Sequence, residues 1–325
     1  MAPRDDELAH WTRDAYCEVP QGKAGQRLDT FLARTFPYRS RTRWAVLVRT
    51  GRIRVNDSTA RPGRGLQSGD RIEYVHDPRP EPQISRAFRV IHEDPWLLAV
   101  RKPANLPVHP AGRYFRNTLL WMLLEQRGEP MDATALRIVH RLDRETSGLI
   151  LFGKGREAAS LLARQFENRE VRKQYLAIVH GLPRRDRFVV DAPIGPDRAS
   201  TIRNAMTVLP EGQPARTSFR VVRRGPEHAL LIARPQTGRL HQIRVHLRHT
   251  GHPIIGDKIY GLDPALFLRF VTDTLSPQDR RRLLWRRQAL HAWKLSFHHP
   301  DDGRPVKLRA PVGSSWLNLA SRLGL

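Results

Sequence analysis

The first hydrophobic pattern of the chain has helical spacing. Between residues 25 and 36 the apolar side chains recur every three or four positions, which predicts a short helix with one buried face: Leu28, Phe31, Leu32 and Phe36. Pro37 ends this helix, and Ser40 is a suitable N-cap for a second one. The buried side of the second helix is predicted to be Trp44, Leu47 and Val48, with Gly51 at its C-terminal end.

Alternating and continuous apolar runs follow the two helices. Residues 53–55 and 71–75 alternate between apolar and polar side chains and are separated by turn residues, so they predict strands. Residues 88–94 and 96–100 predict a hairpin, and the apolar run 149–153 predicts a buried strand. Helices and strands then alternate irregularly, which predicts an α+β fold with a mixed, mostly antiparallel sheet and flanking helices.

The same pattern predicts the domain organisation. Residues 1–17 are expected to form a polar tail, and residues 18–76 a small α/β domain. Residues 77–87 contain several prolines and predict a stiff linker. Residues 88–325 are expected to form the larger α+β domain.

Charge indicates the kind of partner. The 325 residues include 56 Lys and Arg against 32 Asp and Glu, which gives a formal net charge of +24 and a pI of about 11.4. Such a surplus favours a dense polyanion, because binding releases the counterions condensed on its phosphates. An anionic membrane is the rival partner, but neither a long apolar anchor nor a basic amphipathic helix is found. The charge therefore favours nucleic acid.

Cysteine usage and the N-terminus bear on the compartment. Cys17 is the single cysteine, so neither an intramolecular disulfide nor a thiolate zinc cluster is expected. The first 16 residues are acidic and lack the apolar run of a signal peptide, and no stretch approaches the roughly 18 apolar residues of a membrane span. We expect a cytoplasmic protein without membrane contact, and a monomer by default.

Candidate chemistry concentrates around Asp143. This aspartate lies between Arg141 and Arg144, just before the predicted buried strand. Nearby cations keep a carboxylate ionised, as a nucleophile or general base requires. The alternative interpretation is a surface ion-pair cluster. Tyr175 falls in the strand-like segment 171–179, where core packing is the alternative to a role at a site.

A second basic segment covers residues 237–248 and is predicted to be a helix. Its buried edge would be Leu240, Ile243 and Leu247, and its basic stripe would be His241, Arg244 and Arg248. The four histidines between 241 and 252 do not have a common metal-ligand spacing, so no metal site is predicted.

The N-terminal domain resembles the S-four-like RNA-binding domain first described in a small-subunit ribosomal protein. The resemblance covers residues 18–76, and in that family the second helix and the loop after it face RNA. It implies that Arg41 and Arg43 contact RNA; a merely solvated arginine face is the alternative.

The larger domain resembles the RluA family of pseudouridine synthases. Six segments that match the family's motifs occur in the family's order: residues 102–110, 140–148, 173–177, 237–244, 251–257 and 288–292. Glu145 departs from the aspartate of many members but keeps its charge. The resemblance implies a mixed-sheet domain with a central RNA cleft and no metal or organic cofactor.

The resemblance also implies roles for individual residues. Asp143 matches the essential aspartate, Arg244 the arginine that pairs with it, and Tyr175 the tyrosine that stacks on the target base. Arg141 matches the arginine that fills the gap left by the flipped base. The same motifs place three further residues in the RNA-binding set: His140, Arg239 and His241.

The expected reaction is isomerisation of uridine to pseudouridine in structured RNA. Asp143 would attack the sugar or base, or remove a ribose proton, and the sequence leaves both routes open. A non-catalytic ribosome-assembly factor and an RNA glycosidase or nuclease are the other classes. Large-subunit ribosomal RNA is the expected substrate and transfer RNA the alternative. The arginine-rich residues 279–282 predict either a phosphate contact or a solvated helix end.

Overall fold

A computed structural model describes residues 16–36, 40–75, 81–111, 114–128, 136–202 and 204–325. The predicted tail therefore lies outside the described residues, except for its last two positions. The described residues form a small N-terminal domain and a larger α+β domain. Among the described residues, no helix is long and apolar enough to cross a membrane.

The N-terminal domain packs two helices on a four-stranded sheet. The strand order is β1-β4-β2-β3, and every pairing is antiparallel. The elements are β1 (Tyr16–Glu18), α1 (Leu28–Thr35), α2 (Arg41–Arg49), β2 (Ile53–Val55), β3 (Ser58–Thr59) and β4 (Arg71–Tyr74). The predicted helices and strands of this domain are thus present.

Local chemistry explains the helix pair. The Ser40 side chain accepts a hydrogen bond from the amide of Arg43, so the predicted N-cap is confirmed. Trp44 is fully buried, and its indole N–H donates to the carbonyl of Phe36 at 3.0 Å, which ties α2 to the end of α1. Gly51 has a φ of 70°, a left-handed conformation that suits glycine after a helix.

The expected boundary of this domain was two residues late. Tyr16 and Cys17 pair with β4, and Cys17 is 2% exposed within the core. Strand β1 has three residues, too few to show a strand's alternation in the sequence. Only the pairing with β4 identifies this segment as a strand.

The larger domain is built on a ten-stranded sheet. Eight strands follow the order β10-β13-β14-β9-β15-β8-β6-β5, with β16 paired to β15 and β7 to β8. Its strands are β5 (Arg89–Glu93), β6 (Leu97–Lys102), β7 (Leu136–Ile138), β8 (Ser147–Lys154), β9 (Arg172–His180), β10 (Arg187–Asp191), β13 (Arg216–Arg224), β14 (His228–Pro235), β15 (Leu290–His298) and β16 (Pro305–Arg309). A separate two-stranded sheet joins β11 (Ile194–Pro196) and β12 (Met206–Val208).

Among the described residues, the β15–β8 pairing is the one parallel pairing, so the sheet is mixed and mostly antiparallel, as predicted. The helices described in this domain are α3 (Leu119–Gln126), α4 (Gly155–Glu167), α5 (Gln242–His249), α6 (Ala265–Val271), α7 (Pro277–Leu283) and α8 (Ser314–Arg322). The predicted hairpin at 88–100 is β5–β6, and the predicted buried strand is β8, buried along all but its last residue.

The predicted linker is docked where the structure describes it. Both carboxylate oxygens of Glu81 accept hydrogen bonds from the backbone amides of Phe115, Arg116 and Asn117, at 2.8–3.0 Å. The ring of Tyr74, at the end of β4, stacks on Phe115 with 6.2 Å between centroids. The N-terminal domain and the larger domain therefore share one continuous apolar cluster. Residues 77–80 lie outside the described residues.

Candidate active site

The loop that carries Asp143 connects β7 to β8. The amide of Thr146 donates to the carbonyl of Asp143 at 3.1 Å, which closes a turn just before β8 begins. Gly148 follows, with a φ of 116°, and a Cβ there would lie 2.2 Å from the backbone oxygen of Ala292. Only glycine permits this close approach of β8 to β15, which brings the loop beside residues 288–292.

Asp143 is joined to a buried ion-pair chain. Its Oδ2 accepts a hydrogen bond from Arg244 Nη1 at 2.8 Å and one from Gln288 Nε2 at 3.3 Å. The other nitrogens of Arg244 donate to both oxygens of Asp257, at 2.7 and 2.9 Å. The Asp257 side chain is fully buried and that of Arg244 is 6% exposed, whereas that of Asp143 is 26% exposed. Asp143 is therefore the member of this series of ion pairs that a ligand can reach.

The charges of this group keep Asp143 ionised. Burial acts to raise the pKa of Asp143, but His241, Arg244 and the hydrogen bonds outweigh it and lower the pKa to about 2. Burial lowers the pKa of His241 to about 4, so this ring is neutral at neutral pH and Arg244 supplies the lasting positive charge. Burial also acts to lower the pKa of Arg244, but Asp257 overcomes this effect and raises it.

Tyr175 and His241 border the carboxylate. Tyr175 lies on β9, is partly buried, and has its pKa raised by burial and by the charge of Asp143. His241 Nε2 is 3.9 Å from Asp143 Oδ1, and Nδ1 of the same ring is 2.7 Å from the hydroxyl of Tyr260. The structure thus brings together Asp143, Tyr175, Arg244 and His241. Asp143 and Arg244 are 101 residues apart in the sequence.

A second ion pair lies behind the loop. Lys258 Nζ donates to both carboxylate oxygens of Glu145 at 2.9 Å and to the carbonyl of Arg286 at 2.7 Å. Glu145 Oε2 also accepts from the backbone amide of Gln288, whose side chain donates to Asp143 and to Thr146. Glu145 and Lys258 therefore help to hold the residue that orients Asp143.

This supporting group was not selected from the sequence. Asp257 and Gln288 lie inside motif segments of the resemblance, so those segments were the available signal. Lys258 and Tyr260 follow the motif at 251–257 and carried no separate signal. Their roles depend on chain segments that meet only in the folded sheet.

The predicted helix at 237–248 is shorter than expected. Helix α5 begins at Gln242, and His241 before it has a φ of 57°. The Gln242 side chain accepts hydrogen bonds from the Thr237 hydroxyl and the Arg239 amide, which holds an ordered loop in place of a helical turn. Leu240 is therefore 41% exposed and not part of the buried edge, although Ile243 and Leu247 are buried as predicted.

His140 has structural contacts that argue against the predicted RNA contact. Its Nε2 accepts a hydrogen bond from the amide of Leu151 at 2.9 Å, and its ring stacks on Phe166 with 4.6 Å between centroids. Burial lowers its pKa to about 3, so the ring carries no charge for phosphate at neutral pH. We assign His140 to the support of β8.

The predicted RNA-binding arginines are accessible to different degrees. Arg141 is exposed beside Asp143, whereas Arg239 is partly buried and donates through Nε to the carbonyl of Pro214 at 3.2 Å. In the N-terminal domain, Arg43 is exposed, and Arg41 lies 3.5 Å from the carboxylate of Asp29. None of these positions prevents contact with RNA, and their roles remain predictions.

Lys258→Met is expected to weaken both the fold and the catalytic rate. The change removes the cation that bonds both oxygens of the largely buried Glu145 and leaves Arg144 as its remaining ion-pair partner among the described residues, so we expect a loss of roughly 2–4 kcal/mol in unfolding free energy. Misplaced Gln288 should lower kcat more than it raises KM. Denaturant unfolding and steady-state kinetics measure the two effects.

A double-mutant cycle provides the control for this prediction. Glu145→Gln in the Lys258→Met background removes the unpaired charge, so most of the lost stability should return. If the stability losses of the two single variants instead add up in the double variant, Glu145 and Lys258 do not act as a pair.

Two protein-family models match the chain. Residues 97–249 match the RNA pseudouridylate synthase family, and residues 26–72 match the S4 domain. The first match includes Asp143, Tyr175 and Arg244, and the second includes both helices of the N-terminal domain.

Relatives extend the likeness over nearly the whole chain. The ribosomal large subunit pseudouridine synthase D of Neisseria meningitidis is 36% identical over 314 residues, which are 94% of this chain and 81% of that protein. The protein of the same name from Nitrosomonas europaea is 37% identical over 298 residues, which are 90% of this chain and 83% of that protein.

A solved structure shares the catalytic fold. Human RNA pseudouridylate synthase domain containing 4 is 27% identical and has a TM-score of 0.56, over 72% of this chain and 92% of that one. The aspartate–arginine pair, the mixed sheet and these similarities lead to one conclusion. The chain belongs to the RluA family of RNA pseudouridine synthases and carries an N-terminal S4 domain.

Proposed function

We propose that this pseudouridine synthase modifies uridines of large-subunit ribosomal RNA. The observation that carries the proposal is the ion-paired Asp143, accessible at the end of a buried charge chain, in a protein with an S4 domain. The two relatives from Neisseria meningitidis and Nitrosomonas europaea are named for the ribosomal large subunit. Transfer RNA is the alternative substrate with the same chemistry.

The proposed reaction exchanges one glycosidic bond for another. The N1–C1′ bond of the target uridine breaks, the base turns, and C5 bonds to C1′; C5 then loses its proton and N1 ends protonated. A stacked base cannot turn, so it must leave the helix at a cost of a few kcal/mol. Arg141 is exposed beside the catalytic carboxylate, and its planar guanidinium suits the gap that the base leaves.

Asp143 and Arg244 carry the chemical step in this proposal. Asp143 acts as a carboxylate, either by bonding to the sugar or base or by removing a ribose proton. Arg244 holds the carboxylate oriented and ionised through the 2.8 Å hydrogen bond. Tyr175 forms a wall of the pocket and takes part in the loss of the C5 proton.

Tyr175→Phe is expected to separate these two roles of the tyrosine. The ring stays as a wall for the base, so RNA affinity should remain within about twofold, but kcat should fall by roughly 10²-fold because the hydroxyl is lost. Single-turnover rates and filter binding measure the two. Tyr175→Leu is the matched change that also removes the wall. An unchanged kcat for Tyr175→Phe would contradict a role for the hydroxyl.

The proposal includes the setting of the enzyme. We infer a monomer that works in the cytoplasm and whose S4 domain binds RNA with Arg41 and Arg43. Arg239 and His241 contact the RNA near the target base. Size-exclusion chromatography with light scattering measures the oligomeric state.

Pseudouridine mapping tests the substrate. Total RNA is mapped from cells that lack the gene and from the same cells complemented with the wild-type chain. Loss and return of marks at large-subunit uridines supports the proposal, and a loss confined to transfer RNA replaces the substrate. No changed site would favour a non-catalytic assembly role, whereas free uracil or cut RNA would favour a hydrolase.

A further inference from the structure

Three arginines gather at the β10 end of the large sheet, outside the active site. Arg187 on β10 lies directly opposite Arg220 on β13, and Arg234 on β14 lies opposite Ser218 on β13. They line a groove of about 480 Å³ whose apolar lining includes Val189 and Ile232. We call these lining residues the reverse-face groove.

The register of the strands places this groove on the face of the sheet away from Tyr175. Tyr175 lies opposite Ala233 on β14, whereas Ile232, the preceding residue, lies opposite Leu176 and Arg220. Successive residues of a strand point to opposite faces of a sheet. Ile232 and Arg220 therefore face away from the side on which Tyr175 borders Asp143.

The arginines of the groove differ from a neighbouring arginine whose charge is balanced by an aspartate. Arg216 lies directly opposite Asp191 and forms an ion pair with it, further along the same strands. In the part of the chain that the structure describes, no carboxylate forms an ion pair with Arg187, Arg220 or Arg234. Like charges directly opposite one another destabilise a strand pair, so an uncompensated pair indicates an anionic ligand.

We propose that the reverse-face groove binds the phosphate backbone of the substrate RNA beyond the segment that contains the target uridine. This proposal rests on the proposed RNA substrate and extends it. Among the described strands β10 lies at one edge of the sheet, so the path from the active site to the groove runs around this edge. Guanidinium groups bind phosphate oxygens in bidentate pairs, and three in one groove fit consecutive phosphates.

RNA fits the groove better than an acidic protein does. The whole chain carries a formal charge of +24, so an RNA that already occupies the active site is held near the surface at high local concentration. The groove has little apolar area for a protein to cover, because Ile232 is 4% exposed and Val189 is the exposed apolar residue of its lining. Phosphate binding needs no such area.

The test compares a groove variant with a matched control on two RNAs. Arg187→Gln/Arg220→Gln removes two charges from the groove, and Arg156→Gln/Arg164→Gln removes two from the exposed side of α4. One RNA is a short stem-loop that holds the target uridine; the other extends it on both sides. Kd is measured against salt concentration, and kcat is measured on the short RNA.

The groove variant should lose the extra affinity that the wild type has for the longer RNA. We expect a Kd for the long RNA that is roughly tenfold weaker at 0.1 M salt, and a salt slope lower by about one to two units. For the short RNA, the groove variant should have the affinity and kcat of the wild type. The control variant should have the wild-type affinity for both RNAs. Thermal unfolding should occur at or above the wild-type midpoint, because a like-charge repulsion is removed.

Two results would overturn the proposal. Equal weakening for both RNAs would mean that the arginines serve the active site itself. An unchanged Kd for the long RNA would mean that the groove does not bind RNA. The proposed substrate is tested separately, by whether the wild type modifies the long ribosomal RNA fragment. If it does not, the dependence of Kd on RNA length can still be measured and still tests the groove.

Discussion

Asp143→Asn is expected to lower kcat for pseudouridine formation by roughly 10³-fold or more, with little change in RNA affinity. The amide has the shape of the carboxylate and can still accept the hydrogen bond from Arg244, so the site should keep its geometry. It has no negative charge, so it can act neither as a nucleophile nor as a base. Single-turnover conversion measures the rate and filter binding the affinity.

The control for this change is Asp301→Asn, at an exposed aspartate remote in sequence from the active-site loop. It removes one negative charge without touching the ion-pair chain and should keep wild-type rates. Residual activity of Asp143→Asn within about tenfold of the wild type would exclude Asp143 as the catalytic group.

The low pKa of Asp143 also fixes the sign of a pH effect. A folded-state pKa of about 2, below the ordinary value of 3.8, means that the folded protein favours the ionised form. The stability that this provides is complete above the ordinary pKa and is lost as the pH falls toward 2. Any change of kcat between about pH 5 and pH 8 must therefore come from a group other than Asp143.

Arg244→Met is expected to remove activity and to destabilise the larger domain by roughly 3–5 kcal/mol. Arg244 is the shared cation of Asp143 and Asp257, and the Asp257 side chain is fully buried. Without the guanidinium, Asp257 keeps the hydrogen bonds from the backbone amides of Ile259 and Tyr260, and Asp143 keeps the one from Gln288, but the cation that both carboxylates share is gone. Denaturant unfolding measures the loss, and single-turnover conversion measures the activity.

Two companion variants separate stability from catalysis. Arg244→Met/Asp257→Asn removes the buried charge that lost its partner, so it should regain most of the stability but none of the activity. Arg244→Lys keeps a cation but lacks the planar fork of donors that reaches both Asp143 and Asp257, so its activity should fall between the wild type and Arg244→Met. Recovery of activity in the double variant would show that Arg244 serves only to balance Asp257.

The elements that could be predicted are those whose signal is local. The Ser40 cap, the buried Trp44 and Val48, and the continuous apolar run of β8 follow from residues within one or two turns of each other. Capping, helical periodicity and the burial of a continuous apolar run act over that range. The motif around Asp143 was found in the same way, because its residues are adjacent in the chain.

The errors arose where tertiary contacts overrode a local pattern. Leu240 has the spacing of a buried helical residue, but the hydrogen bonds of Gln242 hold the chain in a loop and leave Leu240 exposed. His140 lies within the motif, and only the fold shows its contacts with the Leu151 amide and the Phe166 ring, while its RNA contact stays a prediction. Neither contact is visible in the spacing of residues.

The sequence by itself determined the class of the larger sheet and RNA as the partner, and it predicted the two-domain order and the catalytic roles of Asp143 and Arg244. These depend on periodicity, charge and motifs that the chain carries in adjacent positions. The tertiary structure alone decided how Asp257, Gln288 and Lys258 support Asp143, and which face of the sheet Arg187 and Arg220 occupy. Those properties arise from strand pairing between distant segments, because only the folded sheet sets the distances over which charges and hydrogen bonds act.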